Sequence, residues 1–201
     1  MIKLRRLFPF LCLLAFCFAL PGCGSGGESD EDKIVKVIET SATSDDPADC
    51  RELSTQAFLE QTEWSEGAEA FTDCEDEAGD LIGELDSLEV SNIEVKGSKA
   101  TADVAFQGAT YDGQMLSIAL VEQSGDWKLN EVVGFADLDQ EKLAQSIARW
   151  LQSGDTPQDV AVRNCIGEVF GELSRPQAED AVFSSDPKPM LAIYKSCSQT
   201  R

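Results

Sequence analysis

The chain has 201 residues, with 16 basic side chains against 37 acidic ones, no histidine and a formal charge of −21. Such a charge is repelled by nucleic acid and by anionic lipid, so a nucleic-acid-binding role is excluded. Without histidine there is no Ser-His-Asp or Cys-His catalytic arrangement and no imidazole to ligate a metal.

The N-terminus opens with Lys3, Arg5 and Arg6, followed by an apolar run from Leu7 to Leu20 broken only by Pro9. A run of about 14 residues is shorter than the roughly 20 that span a bilayer, so it reads as a cleaved export signal. Leu20-Pro21-Gly22-Cys23 follows, then glycines, serines and acids. This resembles the lipobox of bacterial lipoproteins. The resemblance implies a signal peptide over residues 1–22 and a diacylglyceryl group on Cys23, with palmitate-type acyl chains. The mature protein would then sit as a lipid-anchored protein on the extracytoplasmic face of the cell membrane. Two acyl chains anchor stably, at about 0.8 kcal/mol per buried methylene.

Residues 23–32 read as lipidated cysteine plus flexible linker. The nine residues Gly24–Asp32 span roughly 15–18 Å on average, more than a Debye length of about 8 Å. The spacing matters because, without Lys3, Arg5 and Arg6, 13 bases face 37 acids, a formal charge of −24.

Of seven cysteines, Cys12 and Cys17 leave with the signal and Cys23 takes lipid. Cys50, Cys74, Cys165 and Cys197 remain, and an even number in an exported chain suggests two disulfides. Four cysteines allow three pairings. Two lie in each half of the chain, which favours Cys50–Cys74 and Cys165–Cys197, each adding about 3–4 kcal/mol in the chain-entropy view. There is no CxxC, so neither a metal site nor any other cofactor is expected.

Asp30 to Thr43 predicts an amphipathic helix with Ile34, Val35, Val37 and Ile38 on its apolar face. Asp46-Pro47 reads as N-cap and first turn of a second helix, breaking near Ser54-Thr55, with Leu53, Ala57, Phe58 and Trp64 toward the core. A third helical piece carries Phe71 and Cys74. The period then switches to two. Four strands follow, joined by the turns KGSK, YDG and SGD, an antiparallel meander whose third strand, Met115 to Val121, is apolar on both faces and therefore central. The last third is helical, with one stripe of Leu143, Ile147, Trp150 and Leu151 and another of Val162, Cys165, Ile166, Val169, Phe170 and Leu173. Thr156, Pro157 and Asp159 open the second of these helices. Two shorter helices follow.

Helices followed by a four-stranded meander make an α+β layout. The segments ADCRELSTQAFLEQ, FTDCEDE and VSNIEVKGSKATADVAF through GQMLSIALVEQSGDWKLNEV resemble bacterial lipoproteins with a nuclear transport factor 2-like domain, the superfamily of ketosteroid-isomerase-like and polyketide-cyclase-like proteins. The resemblance covers about Asp30 to Asp137. It implies N-terminal helices on a curved sheet, a cone-like domain over residues 33–137, an apolar pocket, and a homodimer through the outer sheet face. A helical segment over residues 138–201 lies outside it, and about 60 residues is marginal for an independent core.

Polar candidates for such a pocket are Asp103, Tyr111, Gln114 and Glu131. A carboxylate in an apolar pocket can act as a base, with a tyrosine donating to an oxyanion. Asp103 alternates against Val104 and Phe106, which favours a solvated strand face. Tyr111, beside Asp112-Gly113, reads as a surface or hinge residue. Trp64, Trp127 and Trp150 read as core. Three roles follow: a tethered, non-enzymatic protein binding a small apolar ligand or a partner protein; an isomerase or cyclase using a pocket carboxylate; and an assembly protein docking through its C-terminal helices. An enclosed pocket with a buried carboxylate marks the enzyme, and a filled sheet face marks the interaction protein.

Overall fold

A computed structural model describes residues 28–78, 85–152 and 154–199, so the signal peptide and Cys23 lie outside the described residues. It is an α+β structure, with eight helices and one four-stranded antiparallel sheet among the described residues. Helix α1 (Asp30–Thr43) starts in a capping box: Ser29 Oγ accepts from the Asp32 amide at 3.1 Å, and Asp32 Oδ2 accepts from the Ser29 amide at 3.3 Å. Residues 30–32, read above as linker, are therefore its first turn. Ile34 and Ile38 are buried, while Val35 and Val37 are half-buried.

Asp46-Pro47 opens a turn rather than the helix itself. Asp46 Oδ1 accepts from the Ala48 amide at 2.9 Å, and α2 (Asp49–Leu53) begins beyond it. The expected break falls at Ser54-Thr55. Ser54 pairs in parallel with Leu129, and the Thr55 amide donates to the Leu129 carbonyl at 2.9 Å. Thr55 then caps α3 (Gln56–Thr62) through the Phe58 amide. The restart changes which side chains face inward. Leu59 is buried and Ala57, expected in the core, is exposed. Helix α4 (Ala68–Asp76) follows, and Cys74 in it is bonded to Cys50 in α2.

Strands β1 (Leu85–Lys96), β2 (Lys99–Gly108), β3 (Met115–Gln123) and β4 (Asp126–Asp137) form a meander in the order β1-β2-β3-β4. The β3–β4 hairpin turns on Ser124 and Gly125, both at positive φ, as a two-residue loop matching the strand twist requires. Along β2 and β3 the inner face is strictly alternate: Ala100, Ala102 and Val104, then Leu116, Ile118 and Leu120. Strand β4 differs. Its register with β3 slips three times, leaving Asn130, Val133 and Ala136 as extra residues. Its inward side chains Leu129, Val132 and Phe135 are consequently three apart instead of two. Each bulge adds local bend and twist to the strand.

The free edge of β4 is covered. Beside the Ser54 pairing, the Gln61 side chain takes the place of a neighbouring strand: Nε2 donates to the Val132 carbonyl at 2.9 Å, and the Val132 amide donates to Oε1 at 2.7 Å. An edge satisfied in this way offers no template to another chain.

Helix α5 (Gln140–Leu151) is capped by Asp139, and α6 (Pro157–Glu172) starts in a capping box of Thr156 and Asp159. Arg163 Nη1 donates to the Gln152 carbonyl at 3.1 Å, satisfying the end of α5. Gln140 Nε2 does the same for α6, at the carbonyls of Phe170 and Leu173. Helices α7 (Arg175–Phe183) and α8 (Lys188–Ser198) complete the fold, with Cys165 of α6 bonded to Cys197 of α8. Both expected disulfides are present. Val162, Ile166 and Phe170 of the α6 stripe are buried, as are Leu143 and Ile147 of α5, but Trp150 is 49% exposed.

The helices of residues 138–201 build no separate core. One buried cluster joins Ile34 and Ile38 of α1, the inner sheet face and side chains of α5, α6, α7 and α8. Fully burying each large aliphatic side chain contributes about 1.5–3 kcal/mol. A second, smaller cluster of Cys50, Leu59 and Ala70 lies among α2, α3 and α4.

Candidate functional site

The inner sheet face, where the sequence placed a pocket, is filled by Ala102, Val104, Leu116, Ile118 and Leu120, each at most 5% exposed. The four polar candidates are scattered around it. Asp103 is on the outer face, its Oδ2 accepting from Asn92 Nδ2 at 2.9 Å across the β1–β2 pair. Glu131 is exposed at the end of a β4 bulge. Gln114 is 1% exposed, but all its groups serve the fold. Its Nε2 donates to the carbonyls of Asp112 and Asp139, and its Oε1 accepts from the Asp139 amide at 3.0 Å. It latches the β2–β3 turn to the start of α5.

Tyr111 is not the surface or hinge residue expected from its turn. Its ring lies 5.9 Å from Phe106 and 6.0 Å from Phe183, and Phe183 is 4.8 Å from Phe135. The turn makes this possible because Gly108, Ala109 and Gly113 all take positive φ, folding residues 109–113 back over the sheet end. Burial, then the nearby Glu63 charge, holds the phenol above its usual range.

Glu63 is the group that sequence reasoning missed. Burial pushes its carboxyl up to about 6, against a hydrogen bond from the Thr62 hydroxyl at 3.0 Å, with Glu77 and Asp73 adding to the rise. It stands just past the end of α3. The next residue, Trp64, has φ +54, a conformation rarely taken by a bulky side chain. Trp64 is held there by its indole N–H to the Val182 carbonyl at 3.4 Å and by an edge-on contact with Trp150 at 5.0 Å. Ser65 Oγ is buried without a hydrogen bond among the described residues. Strain, a raised carboxyl and an unpaired hydroxyl thus coincide in three consecutive residues.

Tyr111 and Trp150 mark the border between this corner and a groove of about 480 Å³. The groove runs between the β2–β3 turn (Gly108, Ala109, Thr110, Asp112) and the end of α5 (Ser146, Arg149, Trp150). A second groove, about 640 Å³, lies between α1, α2 and the β3–β4 hairpin. Its cations are largely committed: Lys128 Nζ donates to the Arg51 carbonyl at 2.6 Å, Arg51 pairs with Glu75, and Lys33 lies 3.8 Å from Asp30. Trp127, behind it, is buried as expected, and its N–H donates to Asp30 Oδ1 at 3.3 Å.

Among the described residues there is no group of three or more side chains suited to hold a metal, and no helix long and apolar enough to cross a membrane. No protein family, curated protein or solved structure matches the chain.

Proposed function

We propose that the chain is a membrane-tethered extracytoplasmic lipoprotein whose domain works as a binding module, with its site in the groove between the β2–β3 turn and the end of α5. The observation that carries the tether is the pairing of cysteines. With Cys50–Cys74 and Cys165–Cys197 closed, Cys23 at the foot of the export signal is the one cysteine of the mature chain left over. The filled inner face of the sheet moves the binding site to the surface. Helices ahead of an antiparallel meander are in keeping with a nuclear transport factor 2-like domain. In that reading a homodimer would use the outer sheet face, where Met115, Ser117, Ala119 and Val121 of β3 are half-buried.

A second reading, an isomerase or cyclase, is favoured by one observation: a carboxyl raised to about 6 at Glu63 stands close enough to Tyr111 for its charge to raise the phenol. An acid near a phenol is one part of what such chemistry needs, and the carboxylate differs from those the sequence suggested, but neither residue lines either of the two grooves, so this reading stands second.

Intact mass spectrometry of membrane-extracted protein, with and without reduction, tests the tether. A mass starting at Cys23 with lipid added, gaining four hydrogens on reduction of the two disulfides, is expected. Cys23→Ala should release the protein from membranes. A mass starting elsewhere, or a variant that stays membrane-bound, overturns the reading.

A further inference from the structure

The groove beside α5 keeps part of its side-chain chemistry open to solvent. Trp150 is 49% exposed. Its indole is fixed by Trp64, with centroids 5.0 Å apart and planes at 66°, and Trp64 is itself anchored to Val182. An aromatic face braced by Trp64 is therefore held toward solvent. Beside it, Arg149 Nη2 meets Ser146 Oγ at 3.3 Å, and its guanidinium reaches no carboxylate among the described residues. Opposite, Asp112 Oδ1 accepts from the Gly108 amide at 2.9 Å, which orients the carboxylate and leaves Oδ2 open. Thr110 completes the rim.

We propose that this groove binds a saccharide, with Trp150 as the stacking face, Arg149 as hydrogen-bond donor and Asp112 as acceptor. The inference rests on the binding-module reading and names its ligand class. A purely apolar ligand would strip water from Arg149 and Asp112 and return no partner to either. A simple anion would meet the Asp112 charge and leave the indole unused. A protein partner calls for a broader apolar patch, yet among the described residues none of the other large exposed apolar side chains, Val95, Val133, Val160 and Leu191, lines this groove. A sugar ring matches each feature. Its C–H face covers the indole, and its hydroxyls donate to one side and accept from the other. The volume of about 480 Å³ suits a short oligosaccharide.

The full chain, extracted in detergent, is titrated with tri-N-acetylglucosamine and with trigalacturonate, following tryptophan fluorescence and heat. Saturable binding is expected for the neutral sugar, and weaker binding for the uronate, whose carboxylates meet Asp112 and an acidic surface. Trp150→Ala should weaken binding of the neutral sugar by about tenfold or more, Trp150→Phe less, and Arg149→Gln should weaken it as well. Thermal unfolding of each variant shows whether it is folded, and the Phe and Gln changes leave the core untouched. Binding of neither sugar, or equal binding by Trp150→Ala, overturns the proposal. The mass at Cys23 on the same sample reports separately on the tether. A lipidated chain that ignores both sugars refutes the saccharide alone, and an unlipidated chain that binds them refutes the tether alone.

Discussion

Gln61 and Val132 exchange two hydrogen bonds, side chain to main chain, at 2.9 and 2.7 Å. Gln114 treats Asp139 in the same way, accepting from its amide and donating to its carbonyl. Two amide side chains thus satisfy main-chain groups that no strand pairs, one at the sheet edge and one between the β2–β3 turn and α5. Their burial separates them: Gln61 is half-buried and Gln114 is 1% exposed.

That difference sets the first prediction. Gln61→Leu exposes the Val132 groups to water that can replace the lost bonds, costing about 1 kcal/mol. Gln114→Leu leaves the Asp139 amide and the Asp112 carbonyl short of partners where water does not reach, while the Asp139 carbonyl keeps the Leu143 amide at 2.9 Å, costing about 2–4 kcal/mol. Urea unfolding of both variants measures the gap. Equal losses would mean that the β2–β3 turn opens to water in the native state.

These latches also show what was legible in the sequence. Strand alternation in β2, the interior place of β3, the α6 stripe, Leu143 and Ile147 of the α5 stripe, and the cysteine pairing depend on local spacing, and they read correctly. Which face of β4 turns inward was not legible, because its bulges set Leu129, Val132 and Phe135 three apart, a period belonging to neither strand nor helix. Gln61 and Val132 are 71 positions apart, and nothing near Gln61 announces the bond. Trp150 was placed on the correct stripe of α5. The helix end, however, runs past the core, where the indole meets Trp64 and solvent instead. Glu63 is one acid among many, and only the fold of the Trp64 turn singles it out.

Glu63 gives a pH prediction. Its carboxyl is near 6 in the folded protein against an ordinary value of 4.5. Folding therefore favours the protonated form, and the associated stability is complete below about pH 4.5 and lost as pH rises through 6. The full shift would correspond to about 2 kcal/mol, and partial exposure reduces that to about 1 kcal/mol. Glu63→Gln should match the wild type at about pH 4 and exceed it by about 1 kcal/mol at about pH 7.5. A difference that did not change with pH would show that Glu63 does not titrate there.

Gly134 tests the docking of α7. It has φ +150, and a Cβ there would lie 2.8 Å from Glu179 Oε1, the atom that accepts from the Phe135 amide at 3.1 Å and from Arg175 at 3.0 Å. Gly134→Ala combines backbone strain with displacement of this carboxylate, an expected loss of about 2 kcal/mol. Adding Glu179→Ala should cost less in this background than in the wild type, as a double-mutant cycle would show. Strict additivity would place the whole cost in the backbone.

The two disulfides should fail differently. Each closes a loop, with sequence separations of 24 and 32, and in the chain-entropy view each contributes about 3–4 kcal/mol. Cys165–Cys197 joins α6 and α8, whose buried side chains share the cluster that fills the sheet. Replacing both with serine should lower the whole unfolding transition and raise amide exchange in β2 and β3 together with α6 and α8. Cys50–Cys74 instead ties helices around the separate cluster of Cys50, Leu59 and Ala70. Its removal should speed exchange in α2 and α4 well before the sheet opens. Hydrogen exchange read by mass spectrometry resolves the two patterns. If losing Cys165–Cys197 left β2 and β3 protected while α6 and α8 exchanged freely, the C-terminal helices would be a unit apart, and the continuous core would not be the one that folds cooperatively.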